Sequence, residues 1–192
     1  ASYRPDICPP AKEAKKIYDE IIAYLAIKTD LILIETMCSI DQAEGALLAS
    51  KKIKKPVWIA FSVDDFDGSK LRSGEEVENI NLIIQKFNPD AVLINCSRPE
   101  VVASALKIIS AFDVKYGAYA NGFTKITSGF LKDAPTVDAL EERKDLNPEC
   151  YSKFVMEWVN LGATIVGGCC EVGPDHIKLI AQKLNKSGFN IV

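Results

Sequence analysis

The stretch "NPDAVLINCSRPEVVASALKIISAF", residues 88–112, contains one complete copy of a strand–helix pattern that recurs along the chain. Residues 91–96 are an apolar run of strand length, and the preceding "NPD" is a turn signal. Residues 99–112 follow a helical period, in which Lys107 points away from the apolar face. The residues on that face are Val102, Leu106 and Ile109. The stretch therefore predicts a buried strand followed by an amphipathic helix.

The same alternation continues along the chain. Further apolar runs of strand length lie at 31–35, 57–62, 115–120 and 163–167. Further segments of helical period lie at 11–28, 40–53, 75–87, 148–161 and 175–187. Boundary signals support them: Ser39 with Gln42 resembles a capping box, and Pro99, Pro148 and Pro174 stand at first-turn positions. Apolar strands joined by helices predict an α/β protein with a parallel sheet and right-handed crossovers.

The composition is that of an ordinary globular protein, with 192 residues, 48% hydrophobic and 26% charged, and we expect residues 1–192 to belong to one domain. The net charge of -3 gives no electrostatic reason to expect nucleic acid or an anionic membrane as a partner. No stretch approaches the roughly 18 consecutive apolar residues that a membrane span needs. We expect a cytoplasmic protein; its oligomeric state is left open, and a homo-oligomer is one alternative.

Polar side chains collect at the carboxyl end of each predicted strand. They are Glu35, Thr36, Ser62, Asp64, Asn95, Cys96, Ser97, Tyr119, Asn121, Cys169 and Cys170. In parallel α/β folds this edge of the sheet binds ligands. Two architectures fit, an open doubly wound sheet and part of an eight-stranded barrel. Glycine-rich phosphate loops are absent, which counts against a nucleotide-binding open sheet.

Two adjacent cysteines, Cys169 and Cys170, follow the last strand. Adjacent strand residues point to opposite faces, so both thiols reach one pocket only if the backbone turns there. Gly167 and Gly168 permit such a turn, since glycine readily takes positive φ. Cys96 is the cysteine at another strand end that is placed to give a third sulfur ligand, and Cys38, also near a strand end, is the one plausible substitute. Three thiolates favour zinc and leave one tetrahedral position open, as in catalytic sites.

An open position on such a zinc ion suits an incoming thiol. Metal coordination removes the thiol proton and keeps the sulfur in its nucleophilic thiolate form. The reaction expected from this arrangement is group transfer to sulfur, from a donor whose activated carbon is aligned for in-line attack.

Five short motifs resemble the homocysteine S-methyltransferase family, which includes betaine-dependent and S-methylmethionine-dependent enzymes. They are "IETM" at 34–37, "INCS" at 94–97, "YAN" at 119–121, "GGCC" at 167–170 and "VGPDHI" at 172–177. The resemblance covers nearly the whole chain. It implies a parallel (β/α)₈ barrel of the TIM type, of which this chain covers about the last five β/α units and lacks the N-terminal strands. It therefore assigns the activity to the intact protein rather than to this chain in isolation.

The resemblance also implies roles for individual residues. The zinc ligands fall on Cys96, Cys169 and Cys170, and Glu35 would bind the amino group of L-homocysteine. Asn121 and Asn95 are assigned to the substrate side, and ordering of the cysteine turn is the alternative role for Asn95. The implied reaction is zinc-dependent methyl transfer from a sulfonium or ammonium donor to L-homocysteine, giving methionine. The sequence does not identify the donor.

Two other functional classes compete with this interpretation. A non-catalytic structural-zinc or redox protein would need a fourth protein ligand or a thiol switch, and the absence of paired C-x-x-C spacing counts against a closed zinc site. An aldolase-like barrel would need a lysine at a strand end, and none is well placed.

Three further features near the predicted site lead to expectations. The long segment 121–147, with Phe123 and Phe130, is predicted to close over the site. His176 is interpreted as a surface residue. The helix start after Gly173 is a hypothetical site for the substrate carboxylate.

Overall fold

The computed structural model describes residues 3–192, in which strands and helices alternate along the chain. The strands are β1 Ile32–Met37, β2 Val57–Phe61, β3 Ala91–Asn95, β4 Lys115–Tyr119 and β5 Ile165–Val166. The helices are α1 Ala11–Leu25, α2 Ile40–Ser50, α3 Ile80–Phe87, α4 Pro99–Ile109, α5 Pro148–Asn160 and α6 Pro174–Lys186. The predicted alternation is confirmed. The main difference is that α3 begins at Ile80 rather than near residue 75, because a loop and a 3₁₀ turn at Val77–Asn79 precede it.

The five strands form one parallel sheet in the order β1-β2-β3-β4-β5. Each strand therefore pairs with its neighbour in sequence, whereas a doubly wound sheet reverses its strand order at a switch point. Sequential parallel strands joined by helices are the repeating unit of a (β/α) barrel. The order decides between the two predicted architectures in favour of the barrel type. Within residues 3–192, β1 and β5 are the edges of the sheet.

The two faces of the sheet carry different clusters. Helices cover one face, where Ile59, Ile94 and Ala118 belong to the large core together with the apolar side of α4. The opposite face carries a small separate cluster of Ala60, Leu93 and Tyr119. Alternate strand residues point to opposite faces, so one strand serves both clusters. The second face would line the interior of a barrel.

Ser39 caps α2 as expected, but Gln42 does not complete the predicted capping box, because its side chain bonds to the N–H of the residue before Ser39. Ser39 Oγ accepts a hydrogen bond from the Gln42 N–H at 3.2 Å, while Gln42 Oε1 accepts one from the Cys38 N–H at 2.8 Å. Asn147 Oδ1 caps α5 by accepting from the Cys150 N–H at 2.9 Å. No helix within residues 3–192 is long and apolar enough to cross a membrane.

Gly117 allows β4 and β5 to pair. A Cβ at Gly117 would lie 1.8 Å from the Ile165 carbonyl oxygen, which is backbone and has no room to move. We expect Gly117→Ala to lower the free energy of unfolding by about 3 kcal/mol, the upper part of the range for overpacking. Urea unfolding measures the loss. Gly129→Ala is the matched control, since its Cβ would meet ordinary contacts at 3.6 Å; equal losses in the two variants would contradict the prediction.

Candidate functional site

The three predicted cysteine ligands lie together at the carboxyl edge of the sheet. Cys96 directly follows β3, and Cys169 and Cys170 follow β5. Their sulfur atoms all lie within 4.8 Å of one another. The Cys170 Sγ is 3.7 Å from that of Cys96 and 3.9 Å from that of Cys169. The parallel sheet thus brings together Cys96 and Cys169, which are 73 residues apart in the sequence.

The structure differs from the expectation of free thiols, because Cys96 and Cys169 are joined as a disulfide. Cys170 remains a free thiol. Partial desolvation by the surrounding protein raises the pKa of this thiol, and the negative charges of Glu171 and Glu35 raise it further. The cluster can therefore exist in an oxidised state with one thiol and, after reduction, in a state with three.

The reduced cluster fits a zinc ion. Thiolates bound to one tetrahedral zinc at about 2.3 Å lie about 3.8 Å apart. The two measured separations from Cys170, 3.7 and 3.9 Å, match that spacing. Reduction of the disulfide would allow the sulfur atoms of Cys96 and Cys169 to separate to a similar distance. Among residues 3–192 the group contains these three cysteines and no further histidine or carboxylate, so a fourth coordination position would be open.

Cys96 adopts an unusual backbone conformation, with φ of 45° in the left-handed region. This conformation costs a non-glycine residue about 1 kcal/mol. Hydrogen bonds to its carbonyl oxygen hold it there: Asn121 Nδ2 donates at 2.9 Å and the Tyr3 hydroxyl at 3.2 Å. The Cys96 N–H donates to the Tyr119 carbonyl at 3.2 Å. The position of this sulfur is therefore set by backbone bonds on both sides of it.

The Cys169–Cys170 pair lies in a tight turn, as expected, but the glycines do not make it by positive φ. Neither Gly167 nor Gly168 is in the left-handed region, which Glu171 occupies with φ of 63°. The Val172 N–H closes the turn by donating to the Cys169 carbonyl at 3.1 Å. Gly168 is needed for space instead, because a Cβ there would lie 2.1 Å from Val172 Cγ1.

Glu35 lies within the carboxyl-terminal half of β1 and is exposed. The Tyr119 hydroxyl donates to its Oε1 at 2.9 Å. Burial raises the pKa of Tyr119, and the adjacent Glu35 charge raises it further, so this hydroxyl stays protonated and remains a donor. Glu35 is also close enough to raise the pKa of Cys170. The carboxylate is therefore held near the sulfur cluster with part of it free.

The two predicted asparagines are buried and engaged with protein groups. Asn95 Oδ1 accepts from the Thr36 N–H at 3.0 Å, and its Nδ2 donates to Thr36 Oγ1 at 2.9 Å. Thr36 is itself left-handed, with φ of 58°, beside a register irregularity between β1 and β2. Asn121 Nδ2 holds the Cys96 carbonyl, and its Oδ1 accepts from the Phe123 N–H at 3.2 Å. Direct contact of either side chain with a substrate stays a prediction.

The segment 121–147 is tied down over the carboxyl edge. The Gly122 N–H donates to the Cys170 carbonyl at 2.8 Å, and the Ile126 N–H donates to Asp65 Oδ2 at 2.7 Å. The Phe130 ring meets the Tyr3 ring edge-on, with centroids 5.8 Å apart, while Phe123 is buried. The predicted covering segment thus contacts the cysteine turn through its backbone.

Gly173 and Pro174 start α6 as expected, whereas His176 differs from expectation. His176 is half-buried rather than a surface residue, and its Nε2 lies 3.0 Å from the Leu146 carbonyl oxygen. Its Nδ1 accepts the Gly173 N–H at 3.2 Å. That N–H is therefore already bonded within the protein, and binding of a substrate carboxylate at this helix start stays a prediction.

A buried ion pair near the carboxyl edge of the sheet was not predicted from the sequence. The side chains of Arg72 and Asp65 are 9% and 8% exposed, with Nη2 and Oδ1 2.7 Å apart. We expect Asp65→Ala to cost about 3 kcal/mol or more, because it leaves the buried Arg72 charge uncompensated. Chemical unfolding tests this. The exposed pair Lys86–Glu44 gives the control: Glu44→Ala should cost less than about 1 kcal/mol, and a similar loss for Asp65→Ala would refute the burial argument.

Comparisons with known proteins agree with the site. A family model described as Homocysteine S-methyltransferase matches residues 2–184. Homocysteine S-methyltransferase 1 of Arabidopsis thaliana is 30% identical over 161 residues, which are 82% of this chain and 47% of that protein. Homocysteine S-methyltransferase 2 of Zea mays is 32% identical over 162 residues, which are 82% of this chain and 45% of that protein.

A solved structure shares the fold. The metallated form of the homocysteine methyltransferase MmuM from Escherichia coli has a TM-score of 0.70 at 20% identity, covering 95% of this chain and 55% of that one. The chain spans about half the length of the curated relatives that it matches. Since the family model extends over nearly all of its residues, the chain belongs to the homocysteine S-methyltransferase family.

Proposed function

We propose that the protein containing this chain transfers a methyl group from a sulfonium or ammonium donor to the thiol of L-homocysteine, giving methionine. Family membership supports the reaction class. The observation that carries the proposal is the convergence of three cysteine sulfurs, of which Cys170 lies from the other two at separations that fit one tetrahedral ion. In this proposal residues 1–192 are part of one barrel domain.

Cys96, Cys169 and Cys170 are the proposed zinc ligands. Zinc bound by them would keep the homocysteine sulfur deprotonated at neutral pH. Metallated MmuM, which shares the fold, is consistent with a metal here. The ligands must be reduced to bind, so the proposal also places the protein in the cytoplasm, where thiols stay reduced.

The remaining chemistry needs positioning rather than a protein base. The exposed carboxylate of Glu35, held through Oε1 by Tyr119, would pair with the substrate ammonium group. The substrate sulfur attacks the methyl carbon, and the carbon–sulfur bond forms while the bond from that carbon to the donor heteroatom breaks. The electron pair leaves with the donor as a neutral thioether or amine, and the thiol proton goes to solvent.

A second candidate function, a redox protein, is favoured by the Cys96–Cys169 disulfide. It predicts reversible thiol–disulfide exchange without methyl transfer. The two functions are separated by assaying the fully reduced, zinc-loaded protein for methionine formation with S-methylmethionine, S-adenosylmethionine and betaine in turn. Methionine from one donor supports the transferase; no product from any sulfonium or ammonium donor, with zinc bound, contradicts it.

A further inference from the structure

Tyr151, on α5, has a hydroxyl group that joins the ends of two strands. The residue is fully buried. Its oxygen accepts the Ala120 N–H at 3.0 Å and lies 2.8 Å from the Gly167 carbonyl oxygen and 3.2 Å from that of Ala120. A hydroxyl has one proton, and the shorter distance assigns it to Gly167. One side chain thus bonds to the segment after β4 and to the segment after β5.

These two segments carry the groups that set the sulfur cluster. Asn121, whose amide holds the Cys96 carbonyl, follows Ala120 directly. Cys169 lies two residues after Gly167, and its N–H donates to the Ala120 carbonyl at 2.9 Å. The strand β5 itself is only two residues long. The short ladder therefore gives the cysteine turn little support of its own, and the Tyr151 hydroxyl adds a bond where that ladder ends.

The Tyr151 ring is itself fixed in place. Trp158 packs on it edge-on with centroids 5.9 Å apart, and His176 does so at 5.8 Å. Both nitrogens of His176 are engaged, with the Gly173 N–H and the Leu146 carbonyl. The hydroxyl therefore has a defined direction, which is what a positioning group requires.

We propose that Tyr151 is a positioning residue for the cysteine cluster, acting through Gly167 and Ala120 on the relative placement of Cys96 and the Cys169–Cys170 turn. The expected effect of Tyr151 on metal binding rests on the proposed function, whereas its expected effect on the structure of the cysteine turn does not. Mutating outer-shell partners of metal ligands typically weakens metal binding about 10- to 100-fold. Tyr151→Phe should weaken binding of Co²⁺, used as a spectroscopic stand-in for zinc, by at least about 10-fold.

Tyr116→Phe is the matched control, since it also removes one tyrosine hydroxyl. The Tyr116 hydroxyl donates to the Leu161 carbonyl at 2.7 Å and does not contact the cysteine cluster. The reduced variants are titrated with Co²⁺, and the sulfur-to-cobalt charge-transfer band is measured per bound ion. A lower affinity and an altered band in Tyr151→Phe alone support the inference, because a general loss of stability would not change the band of folded protein. Metal binding equal to that of Tyr116→Phe overturns it.

Amide hydrogen exchange separates this inference from the proposed function. If the wild-type protein binds no metal, the proposed function fails, and exchange at Cys169 and Cys170 still decides the inference. Faster exchange there in Tyr151→Phe than in Tyr116→Phe supports it, and equal exchange overturns it. If Tyr151→Phe does not fold, His176→Leu removes the ring that fixes Tyr151 and should give the same changes in smaller size; unchanged binding and exchange would then overturn the inference.

Discussion

Replacing Cys170 with alanine is expected to abolish zinc binding and methyl transfer while the protein stays folded. Cys170 is exposed and lies outside the disulfide, so its side chain contributes little to the core. Its sulfur nevertheless completes the group of three. Losing a direct ligand should cost more than the about 10- to 100-fold typical of an outer-shell partner, so methionine formation should fall at least about 1000-fold.

Zinc content and single-turnover methionine formation measure this effect on the reduced protein. Cys150→Ala is the matched control, because Cys150 is a free cysteine on α5 outside the cluster. It should retain full zinc content and activity. A Cys170→Ala variant that keeps both would contradict the three-thiolate site.

Replacing Glu35 with glutamine is expected to raise the KM for L-homocysteine about 10- to 100-fold, the size of a lost charge-assisted hydrogen bond of about 1.5–3 kcal/mol. The kcat should change less, because an interaction with the substrate ammonium group is present in both ground and transition states. The substitution keeps the shape of the side chain, and its oxygen still accepts from the Tyr119 hydroxyl. Steady-state kinetics with varied homocysteine measure the two constants.

Tyr119→Phe separates the charge of Glu35 from its placement. This variant leaves the carboxylate and removes only the hydroxyl that holds it. We expect a KM increase of about fivefold, in line with the loss of one hydrogen bond of about 1 kcal/mol. A Glu35→Gln enzyme with an unchanged KM and a greatly lowered kcat would contradict the role in amino-group binding.

The fold and the cysteine cluster were predictable because both follow from simple periodicities. The 3.6-residue period of 99–112 defines the buried face of α4, and the apolar runs define the strands. Parallel strands bring their carboxyl ends to one edge, so Cys96 and the Cys169–Cys170 pair had to lie near each other. Their closeness in the fold does not depend on how many residues separate Cys96 from the Cys169–Cys170 pair in the sequence.

The details of the site depend on tertiary contacts that have no local signal. Thr36, Cys96 and Glu171 take left-handed conformations that their residue types do not favour. Each is stabilised by partners distant in sequence or by a turn, such as Asn95 for Thr36. The hydrogen-bond partners of the Tyr151 hydroxyl could not be predicted from the sequence either. A tyrosine on the buried side of α5 implies only that its hydroxyl has a partner.

The central claim is that three cysteines hold a zinc ion with one position open to the substrate thiol. Zinc-edge X-ray absorption on the reduced protein, with and without L-homocysteine and together with zinc stoichiometry, tests it most directly. We expect one zinc per chain with three sulfur neighbours, which become four when homocysteine is added. Zinc already bound by four protein ligands and unaffected by homocysteine, or no bound zinc, would contradict it.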